Sequence, residues 1–269
     1  MALKEEITEL YRKTATELPK DVFSALEMAK ESEDGGGKEI LSKILENSNM
    51  AKTSSKPICQ DTGIPIFYVK RPADKSEKEL REIIGEATIA ATEEIPLRPN
   101  AVDSLTDKNL GNKPIIHFKE SDKLEIGLIL KGGGSENVSA IYKLPDSNLN
   151  AGRNLDGVRR VVLDTVFRAQ GKGCPPYFVG VAIAGSMEEA MHLSKKQLLR
   201  NLDDVNSNPE LKNFEENVLG EINELGIGPL GLGGKATALG VKAATAPRHP
   251  ASFFVGISIG CWCMRRQSL

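Results

Sequence analysis

Apolar side chains recur at helical spacing through the first fifty residues. Positions three and four apart face the same side of a helix, so each stripe predicts one amphipathic helix. The stripes are Leu3, Ile7, Leu10, Tyr11 and Leu18, then Val22, Phe23, Leu26 and Ala29, then Ile40, Leu41, Ile44 and Leu45. Pro19 and the run Gly35-Gly36-Gly37 separate them. We predict three helices that act as scaffold or interface, because none carries a cluster of reactive side chains.

Apolar runs and helical stripes alternate in the rest of the chain. Short apolar runs bounded by turn residues predict strands over residues 64–69, 115–118, 124–130, 177–184 and 254–259. Helical spacing predicts helices over residues 76–94, 154–170, 187–202 and 209–225. The strands near residues 178 and 254 share the pattern Phe-Val-Gly, so we expect two similar buried strands side by side in one sheet.

No long linker or low-complexity tract divides the chain. We therefore predict a single domain over residues 1–269 of the α+β class. In this arrangement a helical N-terminal portion packs on a mixed β-sheet domain.

Composition excludes several classes of function. The 269 residues carry a net charge of −2 and only 5% aromatic side chains, which argues against nucleic-acid binding. No apolar run approaches the roughly 18 residues that a membrane span needs. The first six residues are acidic and amphipathic rather than a signal peptide, so we expect a cytoplasmic protein. In that compartment four cysteines are more typical of metal binding or catalysis than of disulfides.

One short loop concentrates reactive groups. Cys59, Gln60 and Asp61 stand side by side between Pro57 and Pro65, just before a predicted strand. A thiolate beside a carboxylate on such a loop suits a metal ligand with an acid/base or substrate-binding neighbour. The alternative is a buried structural cysteine in an ordinary turn.

Arginine and glycine mark three further loops. Arg98 lies between Pro96 and Pro99 and is either a surface charge or a carboxylate-binding group. Gly132–Gly134 and the glycine loop, defined here as residues 226–235, allow close approach of the backbone to a ligand. The loop at Gly132–Gly134 has neither the P-loop nor the dinucleotide-binding pattern. Flexible turns remain the alternative, and Lys235 is a candidate anion ligand or part of a mobile lid.

The cysteines are far apart in sequence. Cys59, Cys174 and the pair Cys261 and Cys263 each lie beside glycine or proline at an end of a predicted strand. This spacing fits neither a zinc ribbon nor a ferredoxin. It suits a metal cluster assembled by the tertiary fold, with zinc binding or merely buried thiols as the alternatives.

Seven stretches, in one order, carry a family resemblance. They are Pro57-Ile58-Cys59-Gln60-Asp61-Thr62-Gly63, Leu97-Arg98-Pro99-Asn100, residues 131–137, Gly173-Cys174-Pro175-Pro176-Tyr177, residues 228–240, Arg248-His249-Pro250-Ala251-Ser252, and Cys261-Trp262 with Arg265-Arg266. From about Leu18 onward the chain resembles the α subunit, or N-terminal catalytic half, of the iron–sulfur class I fumarate hydratases and related tartrate dehydratases.

The resemblance implies a cluster site. It assigns the three thiolate ligands of a [4Fe–4S] cluster to Cys59, Cys174 and Cys261, on loops carried by the sheet domain. Cys263 stands where the family more often has a small residue and is expected to be a bystander.

The resemblance also implies a substrate site. The matching residues that reach the substrate are Gln60, Asp61, Arg98, Gly132, Gly133, Gly134 and His249. Asp61 and His249 are the expected catalytic groups, because dehydration needs a proton removed beside a carboxylate while the hydroxyl leaves as water.

The resemblance further implies a partner. We expect a β subunit to complete the site for a small dicarboxylic acid, in an αβ heterodimer or an α2β2 assembly, with no nucleic-acid or membrane partner. The favoured activity is reversible hydration of fumarate to malate. The alternatives are an L-tartrate dehydratase α subunit, which converts tartrate to oxaloacetate, and a non-catalytic iron–sulfur sensor or scaffold.

Overall fold

The computed structural model describes residues 2–269. The chain forms two compact units, each assembled from separate stretches of sequence. The first unit contains the chain up to Pro19, Leu45–Gly133 and Cys263–Leu269. The second contains Lys20–Ile44 and Gly134–Trp262. The prediction of a single domain over residues 1–269 stays a prediction.

Helices and strands occur in both units, which confirms the predicted α+β class. The helices are α1 Leu3–Thr16, α2 Lys20–Ser32, α3 Gly35–Ser54, α4 Glu77–Glu94, α5 Gly133–Asn137, α6 Leu155–Ala169, α7 Met187–Gln197 and α8 Pro209–Glu224. The strands are β1 Ile64–Arg71, β2 Ala101–Val102, β3 Asn109–Gly111, β4 Ile115–Glu120, β5 Glu125–Lys131, β6 Ala140–Lys143, β7 Tyr177–Ala184, β8 Ala238–Thr245, β9 Phe254–Gly260 and β10 Arg265–Ser268.

The first unit is built on a mixed four-stranded sheet of order β10-β5-β1-β4. Strands β1 and β4 are parallel, whereas β5 runs antiparallel to both β1 and β10. Helices α1 and α4 share its hydrophobic core, in which the Tyr11 and Phe67 rings meet edge to face at 5.6 Å. The apolar stripe of α1 is therefore buried as its periodicity predicted.

The second unit is built on a sheet of order β6-β9-β7-β8. Strand β7 is buried along its whole length because it lies between β9 and β8. Apolar side chains of α6 and α8 share one core with β7, β8 and β9. The N-caps follow from sequence: Asn154 accepts a hydrogen bond from the Gly157 amide, and Asn208 precedes Pro209 at the start of α8.

The structure corrects four details of the predicted elements. The glycine run at residues 35–37 begins α3 rather than preceding it, and α7 ends at Gln197 rather than at Leu202. Strands β4 and β5 follow each other in sequence but do not pair, because β1 lies between them. Helix α5 and strands β2, β3, β6, β8 and β10 were not predicted; β8 reads Ala-Leu-Gly-Val-Lys-Ala-Ala-Thr, a run without aromatic residues or isoleucine.

The repeated Phe-Val-Gly pattern has a packing explanation. Strands β7 and β9 pair antiparallel, which confirms that the two similar strands are neighbours. A Cβ atom at Gly180 would lie 2.2 Å from the Ser194 carbonyl oxygen, and one at Gly256 would lie 2.3 Å from that of Ala190. Both carbonyls belong to α7, so the two glycines allow this helix to pack directly on the backbone of the sheet.

None of the helices in residues 2–269 combines the length and apolar character that crossing a membrane would require.

We predict that Gly180→Ala lowers the free energy of unfolding by about 1–3 kcal/mol, because the added methyl group forces α7 away from the sheet. Urea unfolding followed by circular dichroism measures the change. Gly220→Ala is the matched control: nothing lies within 4 Å of the new methyl group in α8. That change should be neutral or stabilising by up to about 1 kcal/mol. Equal losses for the two variants would contradict the packing argument.

Candidate functional site

The Cys59 loop is fixed at the residue before the cysteine. The Ile58 amide donates to the Ala15 carbonyl at 3.0 Å, and the Ile58 carbonyl accepts from the Asn47 side chain at 3.0 Å. Cys59 itself is half-buried, and Gln60 is exposed. The loop therefore presents the thiol and the amide from a backbone that two helices hold in place.

Asp61 is the centre of a hydrogen-bond network within the first unit. Its Oδ1 accepts from the Gly63 amide at 2.8 Å and from the Asn100 side chain at 3.0 Å. Its Oδ2 accepts from the Gly133 amide at 2.8 Å, and its backbone carbonyl accepts from Arg265 at 2.7 Å. A carboxylate oxygen has about two acceptor positions, so Oδ2 is the oxygen with capacity for a proton.

The loop that carries Arg98 is held by a buried asparagine. The Asn112 side chain donates to Thr92 at 3.0 Å and to the Arg98 carbonyl at 3.3 Å, and accepts from the Asn100 amide at 3.1 Å. The Arg98 side chain is exposed and forms no ion pair with any described residue. A guanidinium in that state can bind a carboxylate through two parallel hydrogen bonds.

The three glycines of the predicted substrate loop differ from one another. Gly132 is buried, and the amide of Gly133 already donates to Asp61. Gly134 is exposed and belongs to the second unit. Asp61 thus binds this loop directly, and Gly63 packs against its backbone, where an added Cβ would lie 2.7 Å from the Lys131 carbonyl.

Cys174 and Cys261 lie on adjacent segments of the second unit. The Trp262 amide donates to the Cys174 carbonyl at 2.9 Å. Cys174 is exposed and has a φ of 59°, which is uncommon for a residue other than glycine. Such a conformation persists only where surrounding contacts impose it, and it marks this turn as a candidate functional element.

Tyr177 fixes the turn that contains Cys174. Its hydroxyl donates to the Gln170 carbonyl at 2.5 Å and accepts from the Gly173 amide at 3.2 Å. Burial, with smaller contributions from the charges of Cys174 and Cys261, raises the pKa of Tyr177 to about 12. The phenol therefore stays protonated at neutral pH and remains a donor. Phe178 pairs with Gly260 across β7 and β9, so the residues that follow Tyr177 and precede Cys261 lie side by side in this unit.

His249 lies on an exposed loop that an arginine supports. Arg153 donates to the Ala251 carbonyl at 2.9 Å and to the Pro250 carbonyl at 3.3 Å. The Ala251 amide donates to Nδ1 of His249 at 3.0 Å. We therefore assign the proton of the neutral ring to Nε2, which leaves that atom able to donate to a ligand.

Lys235 pairs with a carboxylate of its own unit, and its assignment as an anion ligand stays a prediction. Its ammonium group donates to Asp34 at 2.8 Å and to the Ser32 carbonyl at 3.0 Å. The hydrogen bond and the charge of Lys235 lower the pKa of Asp34. The lysine therefore attaches the glycine loop to the segment between α2 and α3.

The cysteines have the donor chemistry of an iron–sulfur site. Among residues 2–269 none of the four forms a disulfide; Cys59 and Cys261 are half-buried, Cys174 is exposed and Cys263 is buried. Within that same range, no three side chains of His, Cys, Asp or Glu lie close enough together to hold a metal ion. Thiolates on separate loops, two of them near Tyr177, nevertheless fit a cluster better than a mononuclear site of nitrogen and oxygen ligands.

Sequence reasoning missed the residues that hold the site. Asn112, Arg153, Tyr177 and Arg265 position candidate groups through hydrogen bonds, mostly to backbone atoms. Only Tyr177 and Arg265 stood within the motifs of the resemblance, and neither had a role there. Contacts between a side chain and a distant backbone atom leave no periodic signal in the sequence.

Comparison with known proteins gives a consistent result. A family model described as "Fumarate hydratase (Fumerase)" matches residues 4–269. A putative class I fumarate hydratase of Geobacillus stearothermophilus is 44% identical over 98% of this chain, which covers 54% of that relative. The chain therefore spans about half the length of that protein.

Two other relatives are similar to this chain in length. A putative L(+)-tartrate dehydratase subunit alpha of Methanocaldococcus jannaschii is 42% identical, with 99% of this chain and 96% of the relative covered. The L(+)-tartrate dehydratase subunit alpha of Escherichia coli K12 is 34% identical, with 95% and 86% covered.

We predict that Arg265→Met lowers the free energy of unfolding by about 1–3 kcal/mol, because it removes a buried charged donor to the Asp61 carbonyl. Hydrogen exchange of the amides in residues 59–63 should become faster than in the parent chain. Arg168→Met is the matched control, since Arg168 is exposed and its ion pair with Asp164 lies within its own helix. Its effect should stay below about 1 kcal/mol. Unchanged exchange at residues 59–63 in Arg265→Met would contradict the role given to Arg265.

Proposed function

The chain belongs to the fumarate hydratase family, and on that premise we propose that it is the α-type catalytic part of an iron–sulfur hydro-lyase. The reaction is the reversible hydration of fumarate to malate. The observation that carries this proposal is the match of the family model over nearly the whole chain, with every motif of the resemblance inside it.

The proposed cofactor is a [4Fe–4S] cluster with Cys59, Cys174 and Cys261 as ligands. Bound through three thiolates, the cluster supplies an open iron that acts as a Lewis acid toward the substrate hydroxyl. The burial of Cys263 supports its place outside the ligand set. The adjacency of the Cys174 and Cys261 segments supports the choice of these two ligands.

The substrate is proposed to bind through its carboxylates. Arg98 donates two parallel hydrogen bonds to one carboxylate, and Gln60 donates a hydrogen bond from its side-chain amide. The backbone at Gly132–Gly134 gives the ligand close access. These groups bind and orient a four-carbon dicarboxylic acid so that the carbon beside one carboxylate faces the base.

Proton transfer is assigned to Asp61 and His249. Asp61 takes the proton from that carbon at Oδ2, the oxygen with remaining acceptor capacity. His249 donates a hydrogen bond from Nε2 to the substrate, in keeping with the engaged Nδ1. The hydroxyl would gain one proton to leave as water, and the proton that Asp61 takes from the carbon balances it.

A second, β-type part is proposed to complete the site. One relative is about twice as long as the segment it shares with this chain, and two others are named alpha subunits. An αβ heterodimer or an α2β2 assembly would bring the remaining substrate contacts. A cytoplasmic location fits the oxygen sensitivity of an exposed cluster.

Tartrate dehydration is the second candidate. It is favoured by the two relatives that match this chain in length as well as in sequence, since both carry that name. Tartrate and malate share four carbons, two carboxylates and a hydroxyl beside a carboxylate. The groups proposed above can bind tartrate or malate, so discrimination between these substrates depends on contacts to the second hydroxyl of tartrate.

Reconstitution tests the activity. The chain is loaded anaerobically with iron and sulfide, mixed with its β partner, and offered malate, fumarate or tartrate. We expect interconversion of malate and fumarate with the two parts together, and little or no turnover with this chain alone. Full activity of this chain without a partner would overturn the proposed assembly. Turnover of tartrate without turnover of malate or fumarate would show that the activity is tartrate dehydration.

We predict that Cys59→Ala, Cys174→Ala and Cys261→Ala each abolish the visible absorbance band of the reconstituted cluster, because each removes one thiolate ligand. Bound iron and sulfide per chain provide a second readout. Cys263→Ala is the matched control, since it also removes a thiol near the third ligand, and it should retain the band. A lost band in Cys263→Ala together with a retained one in Cys261→Ala would show that the ligand assignment is wrong.

A further inference from the structure

Glu33 is a buried acidic residue that the proposed reaction does not use. It follows α2 and is only 2% exposed. Burying a carboxylate is costly unless hydrogen bonds compensate for the lost hydration. Its contacts therefore show what the residue does for the fold.

The Glu33 carboxylate contacts the end of the glycine loop. Its Oε1 accepts a hydrogen bond from the Ala236 amide at 2.6 Å. Both carboxylate oxygens occupy the space beside Gly234, where an added Cβ would lie 2.7 and 2.8 Å from them. The carboxylate thus fixes the backbone of residues 234–236 from a buried position.

The glycine loop in turn contacts the cysteine turn, defined here as residues 171–176. The Leu230 amide donates to the Pro175 carbonyl at 2.8 Å. Gly231 and Gly171 approach so closely that a Cβ at Gly231 would lie 2.4 Å from the Gly171 Cα atom. These contacts lie on either side of Cys174.

A second connection runs through the residue after Ala236. The Thr237 carbonyl accepts a hydrogen bond from the Tyr177 amide at 2.8 Å. The Tyr177 hydroxyl bonds to the Gln170 carbonyl just before the cysteine turn and to the Gly173 amide within it. The backbone that Glu33 fixes is therefore bonded to the start of β7 as well as to the turn itself.

We propose that Glu33 is a positioning residue for Cys174. Through Ala236 and the glycine loop, its carboxylate holds the cysteine turn in the conformation in which Cys174 adopts a positive φ. The connection between Glu33 and the cysteine turn is made by contacts within the second unit. Its relevance to cluster binding rests on the proposed function. Gly231 of the loop serves close backbone packing on the cysteine turn.

Hydrogen exchange of the metal-free, full-length chain tests the connection directly. In Glu33→Ala we expect roughly tenfold faster exchange of the amides in residues 171–177, because the loop loses its buried acceptor. Glu33→Gln keeps an oxygen for the Ala236 amide and should exchange at nearly the parent rate. Should Glu33→Ala fail to fold, Glu33→Asp gives the same test, since its carboxylate falls one methylene short of Ala236.

Asp34→Asn is the matched control. Asp34 is the next residue and pairs with Lys235 on the exposed side of the same loop. This variant should leave exchange in residues 171–177 unchanged. Two results would overturn the proposal. One is faster exchange only near residues 33–37 and 234–236 in Glu33→Ala, or in Glu33→Asp in its place. The other is exchange at residues 171–177 that is as fast in Glu33→Gln as in Glu33→Ala.

Reconstitution then separates this proposal from the proposed function. Glu33→Ala should bind several-fold less iron and sulfide per chain than the parent, and Glu33→Gln should restore binding. A parent chain that binds no cluster would refute the proposed function alone, and the exchange result would still decide the role of Glu33. A parent chain that binds a cluster, with full binding in a folded Glu33→Ala variant, would refute the positioning role alone.

Discussion

The arrangement of the loops in the first unit depends on the hydrogen bonds that the Asp61 carboxylate accepts. It accepts hydrogen bonds from its own loop, from the loop of Arg98 through Asn100, and from the amide of Gly133. Three stretches that are distant in sequence therefore meet at one side chain. Because each bond joins an ionised acceptor to an N–H donor, each is stronger than a bond between neutral groups. The thiol of Cys59 lies two residues away, so any ligand it binds lies close to this network.

This network gives Asp61 two functions that one substitution would remove together. As a structural residue it orders the loops of Arg98 and Gly133; as the proposed base it takes a proton at Oδ2. Loss of activity in an Asp61 variant therefore reports on both functions. In the second unit, separate residues order the loops: Tyr177 orders the Cys174 turn, and Arg153 supports the His249 loop. There the supporting residues are not the proposed reacting ones.

Three charged residues that support these loops share one physical feature. Arg153 and Arg265 donate to backbone carbonyls, and Glu33 accepts from a backbone amide. A charged side chain that bonds to the backbone fixes the path of a loop without constraining the side chains that the loop presents. The loops can therefore present thiol, amide and imidazole groups in fixed positions while those groups remain available to ligands.

Several elements could be predicted from sequence because a periodic pattern reports burial. The stripes of α1 and α6 and the apolar run of β7 are examples, and each is buried as expected. Strand β10, with its two buried arginines, has no such pattern, since its burial depends on contacts with distant segments. The candidate ligands and substrate groups were predicted from seven motifs in order. The support given by Asn112, Arg153 and Glu33 was not, because a hydrogen bond to a distant backbone atom is specified only by the folded chain.

The central claim is that three thiolates of this chain hold a cluster with one open iron that binds substrate. Mössbauer spectroscopy of the chain reconstituted with iron-57 and its partner tests this claim most directly. The account predicts one iron that differs from the other three and that alone changes when malate or fumarate is added. Four equivalent irons that do not respond to substrate, or the absence of a cluster signal, would contradict it.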